Sequence, residues 1–171
     1  KLVILGAGPA GLTAGLYAAR ARMDHLLIEK GAEGGQILLT DWIDNYPGFS
    51  DGISGFDLAE KMTAHAKRFG LNSMFGNVLS MDLTKPIKHL KLEDGSSLSC
   101  DTLIICTGAH PRPLGIPGEK EFAGKGVSYC ATCDAPFYRK LHVAVVGGGN
   151  TAVQEAAHLT KFADKVTLIH R

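Results

Sequence analysis

Lys1-Leu2-Val3-Ile4-Leu5-Gly6-Ala7-Gly8-Pro9-Ala10-Gly11 opens the chain, and Val143-Ala144-Val145-Val146-Gly147-Gly148-Gly149-Asn150-Thr151-Ala152 repeats its pattern near the other end. Each stretch is an apolar run of strand length that meets glycines and passes into a helical segment. In the first copy a further apolar run, Leu26 to Ile28, stops at Glu29; in the second, a helical stretch is expected to about Asp164, and the apolar run Val166 to Ile169 stops at His170. Strand, glycine turn, helix and strand, with a polar residue at the end of the second strand, is the arrangement that holds a dinucleotide. Gly6 permits the tight turn, Gly8 lets backbone approach a pyrophosphate, and Gly11 lets the helix lie close to the sheet. The helix N-terminus then offers unpaired N–H groups and the positive end of its dipole to the phosphates.

Superposed by their glycines, the copies match Gly6 with Gly147, Gly11 with Ala152 and Glu29 with His170. They end in opposite chemistry. A carboxylate accepts hydrogen bonds from ribose hydroxyls and repels a 2′-phosphate, so Glu29 suits the adenosine ribose of FAD or NAD. His170 and Arg171 bring donors and positive charge, with Arg able to grip a phosphate in a fork, so the second copy leans to NADPH.

Composition agrees with an α/β chain rich in sharp strand-to-helix turns: 45% hydrophobic, 20% charged, 21 glycines. The formal net charge of +1 points to no nucleic-acid or membrane partner, and the apolar runs are strand-sized. No leader segment is visible, which makes a cytoplasmic setting the default, although a chain beginning at Lys1 does not exclude one. At 171 residues it exceeds one ordinary domain and falls short of two complete ones.

The four cysteines are of two kinds. Cys100 and Cys106 flank the strand-like run Thr102 to Ile105 and read as buried thiols. Cys130-Ala131-Thr132-Cys133-Asp134 carries a C-x-x-C spacing, open to a redox disulfide, half of a zinc site, or accident. Zinc needs four ligands, and no second C-x-x-C or H-x-x-x-H pair completes a set, although His110 and His142 are available. Beside two nucleotide patterns a redox dithiol is the economical reading, with no metal. Asp134 is then an acid placed where opening a disulfide calls for protons; it could equally cap a helix, and both roles are compatible. Gly126 and Pro136 bracket the run in a loop-like setting that a partner protein could reach.

Gly6-Ala7-Gly8-Pro9-Ala10-Gly11, Gly34-Gly35-Gln36, Asn45-Tyr46-Pro47-Gly48-Phe49, Thr107-Gly108-Ala109, Cys130-Ala131-Thr132-Cys133-Asp134, Gly147-Gly148-Gly149-Asn150-Thr151-Ala152 and His170-Arg171 together resemble bacterial-type, low-molecular-weight thioredoxin reductases, members of the FAD/NADPH pyridine nucleotide-disulfide oxidoreductases. The motifs span the whole chain in that family's order. The resemblance implies two Rossmann-like domains of the three-layer ββα type, both incomplete, in a homodimeric cytoplasmic flavoprotein. Electrons would pass from NADPH through FAD to the Cys130–Cys133 pair and on to thioredoxin or a thioredoxin-like protein. It implies that Cys133 faces the flavin, that Cys130 attacks the thioredoxin disulfide, and that Asp134 gives and takes the protons. The implied FAD contacts are Gly6, Gly8, Pro9, Ala10, Gly11, Glu29, Lys30, Gly34, Gly35, Gln36, Asn45, Val78, Thr107, Gly108 and Ala109. On the NADPH side they are Gly147, Gly149, Asn150, Thr151, Ala152, His170 and Arg171. Exchange of dithiol and NADPH at one flavin would require rotation of the second domain, with the linker as one hinge strand.

Between these landmarks, Ser54-Gly55-Phe56-Asp57 reads as a helix start, followed by an apolar face of Leu58, Met62, Ala66 and Phe69 and a stop at Gly70. From Ser73 to Cys106 short strand-like runs alternate, with Asp94-Gly95 as a hairpin turn, as in the small β-meander inserted in such flavin domains. Pro111, Pro113 and Pro117 with Gly115 and Gly118 read as a linker. The domains are accordingly expected at 1–110, an FAD part, and 119–171, an NADPH part bearing the dithiol, joined by 111–118.

The family continues with further strands, a second arginine after the one matched by Arg171, and a C-terminal Gly-Asp segment near the flavin. The chain is therefore expected to be a piece of a longer protein, inactive alone. Cys106 stands where the family usually has alanine. The reductase part of alkyl hydroperoxide reductase-like flavoproteins shares this core, and a non-catalytic nucleotide-binding module is the alternative from another class.

Overall fold

The computed structural model describes residues 1–171, and the chain divides into two units, Lys1–Ala109 and His110–Arg171. In the first, strand β1 (Leu2–Leu5) is buried along its whole length. A strand inside a parallel sheet is covered on both faces, and for that reason it is apolar without alternation. β1 pairs in parallel with β2 (His25–Glu29) on one side and β7 (Thr102–Ile105) on the other. β3 (Ser73–Phe75) adds beyond β2, giving the order β3-β2-β1-β7.

Successive side chains on a strand point to opposite faces, and here the two faces meet different layers. Leu2, Ile4 and Leu27 enter a core with Leu12 and Ala18 of helix α1 (Pro9–Arg20) and Ala66 of helix α2 (Gly55–Arg68). Val3, Leu5, Leu26 and Ile28 enter a second core with Leu90 and Cys100 of an antiparallel meander, β4 (Val78–Asp82), β5 (Lys88–Leu92) and β6 (Ser97–Cys100). Helices, parallel sheet and meander make the three layers of the expected α/β class. Val3, Ile4, Leu27 and Ile28 are fully buried, each worth roughly 1.5–3 kcal/mol relative to exposure.

The alternating run from Ser73 to Cys106 turns out to serve two sheets. β3 and β7 belong to the parallel sheet, and only β4 to β6 form the meander. Local alternation cannot separate the two, because partner choice is a long-range matter. The hairpin forms at Asp94-Gly95, where Gly95 has φ +85° and Asp94 Oδ1 accepts from both the amide and the hydroxyl of Ser96. α2 begins as its sequence indicates: the Ser54 hydroxyl accepts the Asp57 amide at 3.0 Å and donates to the Asp57 carboxylate at 2.7 Å. It ends at Phe69-Gly70, with Gly70 at φ +89° and the guanidinium groups of Arg20 and Arg68 each 4.9 Å from the Phe69 ring centre. His25, buried at the start of β2, donates from Nδ1 to the Met23 carbonyl and accepts the Asn72 amide on Nε2, tying β2 to the turn before β3.

In the second unit β8 (His142–Val146) and β9 (Lys165–Ile169) pair in parallel around helix α4 (Asn150–Leu159). Their half-buried Val143, Val145 and Val166 pack with Leu159 and Phe162 against Ala131 and Ala135. These two alanines belong to a one-turn helix α3 (Ala131–Asp134) and a 3-10 turn (Ala135–Tyr138). The loop-like setting read around Cys130 is thus helical. α4 also stops at Leu159 rather than near Asp164. The chain must turn there so that Phe162 reaches the core and the Asp164 amide reaches the Leu141 carbonyl, feeding β9. No helix is long and apolar enough to cross a membrane.

The strand-to-helix turn of the first unit is tight enough that a Cβ at Gly11 would overlap the Gly6 carbonyl oxygen. Gly11→Ala should therefore lower stability by about 2 kcal/mol or more. Ala152→Gly, at the matching place in the second unit, should cost no more than about 1 kcal/mol. Urea unfolding midpoints of the full-length protein measure both.

Candidate functional site

In the first unit the site residues gather around the turn after β1. Gly6 turns the chain at φ +101°, Gly8 is the N-cap of α1, and no side chain caps that helix. Its first-turn N–H groups are left for an anion. Glu29, at the end of β2, accepts the Ala7 amide at 2.7 Å and the Gly31 amide at 2.8 Å. Both carboxylate oxygens are thereby oriented, with lone pairs remaining for ribose hydroxyls. The Gly34 amide donates to the Ala7 carbonyl at 2.8 Å. This lays Gly35 against Gly8, where a Cβ on Gly35 would come within 2.9 Å of the Gly8 Cα.

Gln36 then donates from Nε2 to the Ala109 carbonyl at 2.5 Å, joining the Gly34-Gly35-Gln36 loop to the Thr107-Gly108-Ala109 segment after β7. Gly6, Gly8, Pro9, Ala10, Gly11, Glu29, Gly34, Gly35, Gln36 and Ala109 thus form one bare-backbone cradle. Lys30 is exposed beside it. Asn45 lies in the 44–50 loop, which lines a groove of its own. Val78 packs on the meander core. The free amides of the cradle are of the kind that could hold a pyrophosphate, and Glu29 also borders a groove lined by Gly31, Glu33, Ser73, Met74 and Phe75.

The second unit repeats the turn with different tolerances. Gly147 has φ +142° and Gly149 caps α4, again without a side-chain cap. Ala152 stands in the place of the third glycine and its Cβ is accommodated there, while a Cβ added at Gly147 would come within 3.0 Å of it. The His170 ring stands over Gly148, so close that a Cβ there would lie 2.6 Å from its Cγ. Gly148 is therefore needed for His170 to hold its place, a role the spacing of the glycines does not reveal. Asn150, Thr151, His170 and Arg171 are exposed along this edge.

Cys130 and Cys133 are joined as a disulfide, with the Cys133 amide donating to Cys130 Sγ at 3.2 Å. Cys100 is buried and Cys106 half-buried, and burial raises both thiols above their ordinary pKa, as befits core cysteines. Asp134 does not cap the turn that follows it. Its carboxylate instead accepts the Ser128 hydroxyl at 2.5 Å. Glu155 of α4 accepts the Ala131 amide at the start of the dithiol helix. Glu119, 5% exposed, accepts the amides of Leu114 (2.8 Å) and Gly115 (2.7 Å) and the Tyr129 hydroxyl (2.7 Å). Leu114 and Gly115 of the proline- and glycine-rich segment are thus linked through Glu119 to Tyr129, the residue before Cys130. Ser128, Tyr129, Glu155 and Glu119 escaped the sequence reading; a polar residue two places before the first cysteine was the one visible signal.

The residues 1–171 match the family described as pyridine nucleotide-disulphide oxidoreductase. The chain belongs to that family. It is 51% identical over 171 residues to a thioredoxin reductase of Coxiella burnetii, covering 100% of this chain and 53% of the relative. It is 49% identical over 170 residues to one of Peptoclostridium litorale, covering 99% and 54%. The chain therefore spans about half the length of these relatives. Among solved structures, a thioredoxin reductase of Streptococcus pyogenes superposes with TM-score 0.88 at 47% identity, over 99% of this chain and 55% of the other. One of Giardia duodenalis superposes with TM-score 0.90 at 37%, over 98% and 54%.

The hydrogen bond from Tyr129, followed by those from the Leu114 and Gly115 amides, holds the Glu119 carboxyl below its ordinary value of 4.5. A depressed carboxylate stabilises the fold above the unfolded value, and that stability is lost as pH falls through the folded one. Amide exchange should show Leu114 and Gly115 protected near neutrality, with protection lost in acid below about pH 4.5. Glu119→Gln should weaken protection at neutral pH and remove the acid step.

Proposed function

We propose that this chain is the nucleotide- and dithiol-bearing part of a thioredoxin-disulfide reductase, using FAD in the first unit and NADPH in the second. The observation that carries the reading is the Cys130–Cys133 disulfide on a helix packed against α4, the helix that starts at the second dinucleotide turn. An isolated disulfide or an isolated nucleotide turn would mean little; a dithiol built onto a nucleotide-binding element is the arrangement of an electron relay. The names of the relatives support thioredoxin as the acceptor.

Gly6, Gly8, Gly11, Gly35 and the α1 N-terminus would take the FAD pyrophosphate, and Glu29 its adenosine ribose. Gly147, Gly149 and the α4 N-terminus would take the NADPH pyrophosphate, with His170 and Arg171 at the 2′-phosphate. When bound, the pair supplies hydride transfer and two-electron storage. The chain's own residues then present the disulfide for opening and handle its protons. Cys133 is exposed and Cys130 half-buried at the N-cap of α3, so both sulfurs lie at one helix end. Asp134 sits on the same turn, where a carboxyl group gives a proton to a thiolate and takes one back from a thiol.

Anaerobic titration of the full-length protein tests this directly. NADPH should bleach a flavin band in preference to NADH, with two further electrons taken up by the dithiol. A colourless protein that FAD does not reconstitute would overturn the reading. Cys133→Ser should keep flavin reduction by NADPH and lose thioredoxin reduction. Arg171→Ala should weaken NADPH at least about tenfold more than NADH, the loss expected when a charge-assisted phosphate contact is removed.

A further inference from the structure

The Ser128 hydroxyl stands at the meeting point of three groups of the dithiol turn. It donates to Asp134 Oδ2 at 2.5 Å, accepts the Cys130 amide at 3.1 Å, and has the Cys130 carbonyl oxygen as an alternative acceptor at 3.3 Å. Ser128 is half-buried, and the Asp134 amide also donates to the Cys130 carbonyl, closing the turn. A hydroxyl has one proton and two acceptor positions. With Asp134 ionised, that proton points to the carboxylate and one lone pair holds the Cys130 amide. With Asp134 protonated, the carboxyl O–H can donate to the remaining lone pair while the Ser128 proton swings to the Cys130 carbonyl. Both protonation states are thus served by turning the hydroxyl, without moving backbone.

We infer that Ser128 is a positioning residue for proton transfer at the Cys130–Cys133 pair, its hydroxyl turning in step with the proton on Asp134. This rests on the reading of Asp134 as the proton-handling group. In exchange with a partner disulfide, the dithiol gives up two electrons and two protons and closes its S–S bond. The partner's S–S bond opens and takes up both, so atoms and charge balance. Each proton that leaves a thiol of the pair passes to a base, and each thiolate of the partner takes one from an acid. A carboxylate that must alternate between these roles is served by a neighbour that can accept as readily as it donates. Alanine could do neither. Threonine could do both.

The test is a single-turnover measurement on the flavin-loaded full-length protein, reduced at the dithiol and mixed first with oxidised thioredoxin and then with a small aromatic disulfide. Ser128→Ala should slow dithiol closure about tenfold with both, a share of the roughly 10²–10⁴ that general acid–base catalysis provides. The KM for thioredoxin and the rate of flavin reduction by NADPH should stay within about twofold of the unsubstituted protein, and Ser128→Thr should restore closure. Unchanged closure in Ser128→Ala would overturn the inference, as would a loss that threonine fails to restore or an equal loss of flavin reduction. An unsubstituted protein inert toward thioredoxin, whose reaction with the small disulfide still depends on Ser128, would sink the thioredoxin reading and leave this one standing.

Discussion

The contact on which the first unit depends is that of Gly11 with the carbonyl of Gly6. With no side chain between them, α1 comes down onto the end of β1, and its open N-terminus is held where β1 stops. The approach also sets the position of the Ala7 amide, which Glu29 reaches from the end of β2 at 2.7 Å, and of the Ala7 carbonyl, to which Gly34 donates. One missing Cβ thus brings three separated stretches of sequence to a single edge of the sheet. The burial of β1 makes this placement firm, because a strand with core on both faces has no direction in which to yield.

The second unit follows the same plan with more room. Ala152 fits where Gly11 must be glycine, and the closest approach moves to Gly148 beneath the His170 ring. The crowded position is therefore on the side where the second strand ends, beside the residues of positive and donor character. In the first unit backbone meets backbone at the helix, and a carboxylate orients amides; in the second, a glycine makes space for a ring. The difference in ligand read from Glu29 against His170 has its counterpart in where each turn is tight.

Much of this was legible because it rests on short-range rules. The glycine turns, the Ser54 cap and the Asp94-Gly95 hairpin each follow from a few neighbouring residues whose φ or hydrogen bonding admits little else. The parts that were not legible depend on distant partners. β3 and β7 look like strands of the meander until β2 and β1 claim them. The end of α4 is decided by Phe162 reaching the core shared with Val143 and Val166, not by any stop signal after Leu159. Asp134 carries a sequence suited to capping, yet its carboxylate is taken by Ser128, six residues earlier across a turn.

The dithiol itself shows why local reading falls short there. Four residues cannot sustain a helix, since nucleation is unfavourable and one turn gains almost no propagation. α3 exists because others hold it: Ala131 and Ala135 are buried against Leu159, Glu155 takes the Ala131 amide, and Ser128 closes the turn beneath. Two of those supports, Leu159 and Glu155, lie on α4, whose N-terminus is the second glycine turn. The geometry of the disulfide is thus borrowed from the helix that would hold the nucleotide, while Glu119 binds the preceding segment to Tyr129. The Glu155 and Leu159 contacts are the short physical connection between α4 and the turn that carries Cys130.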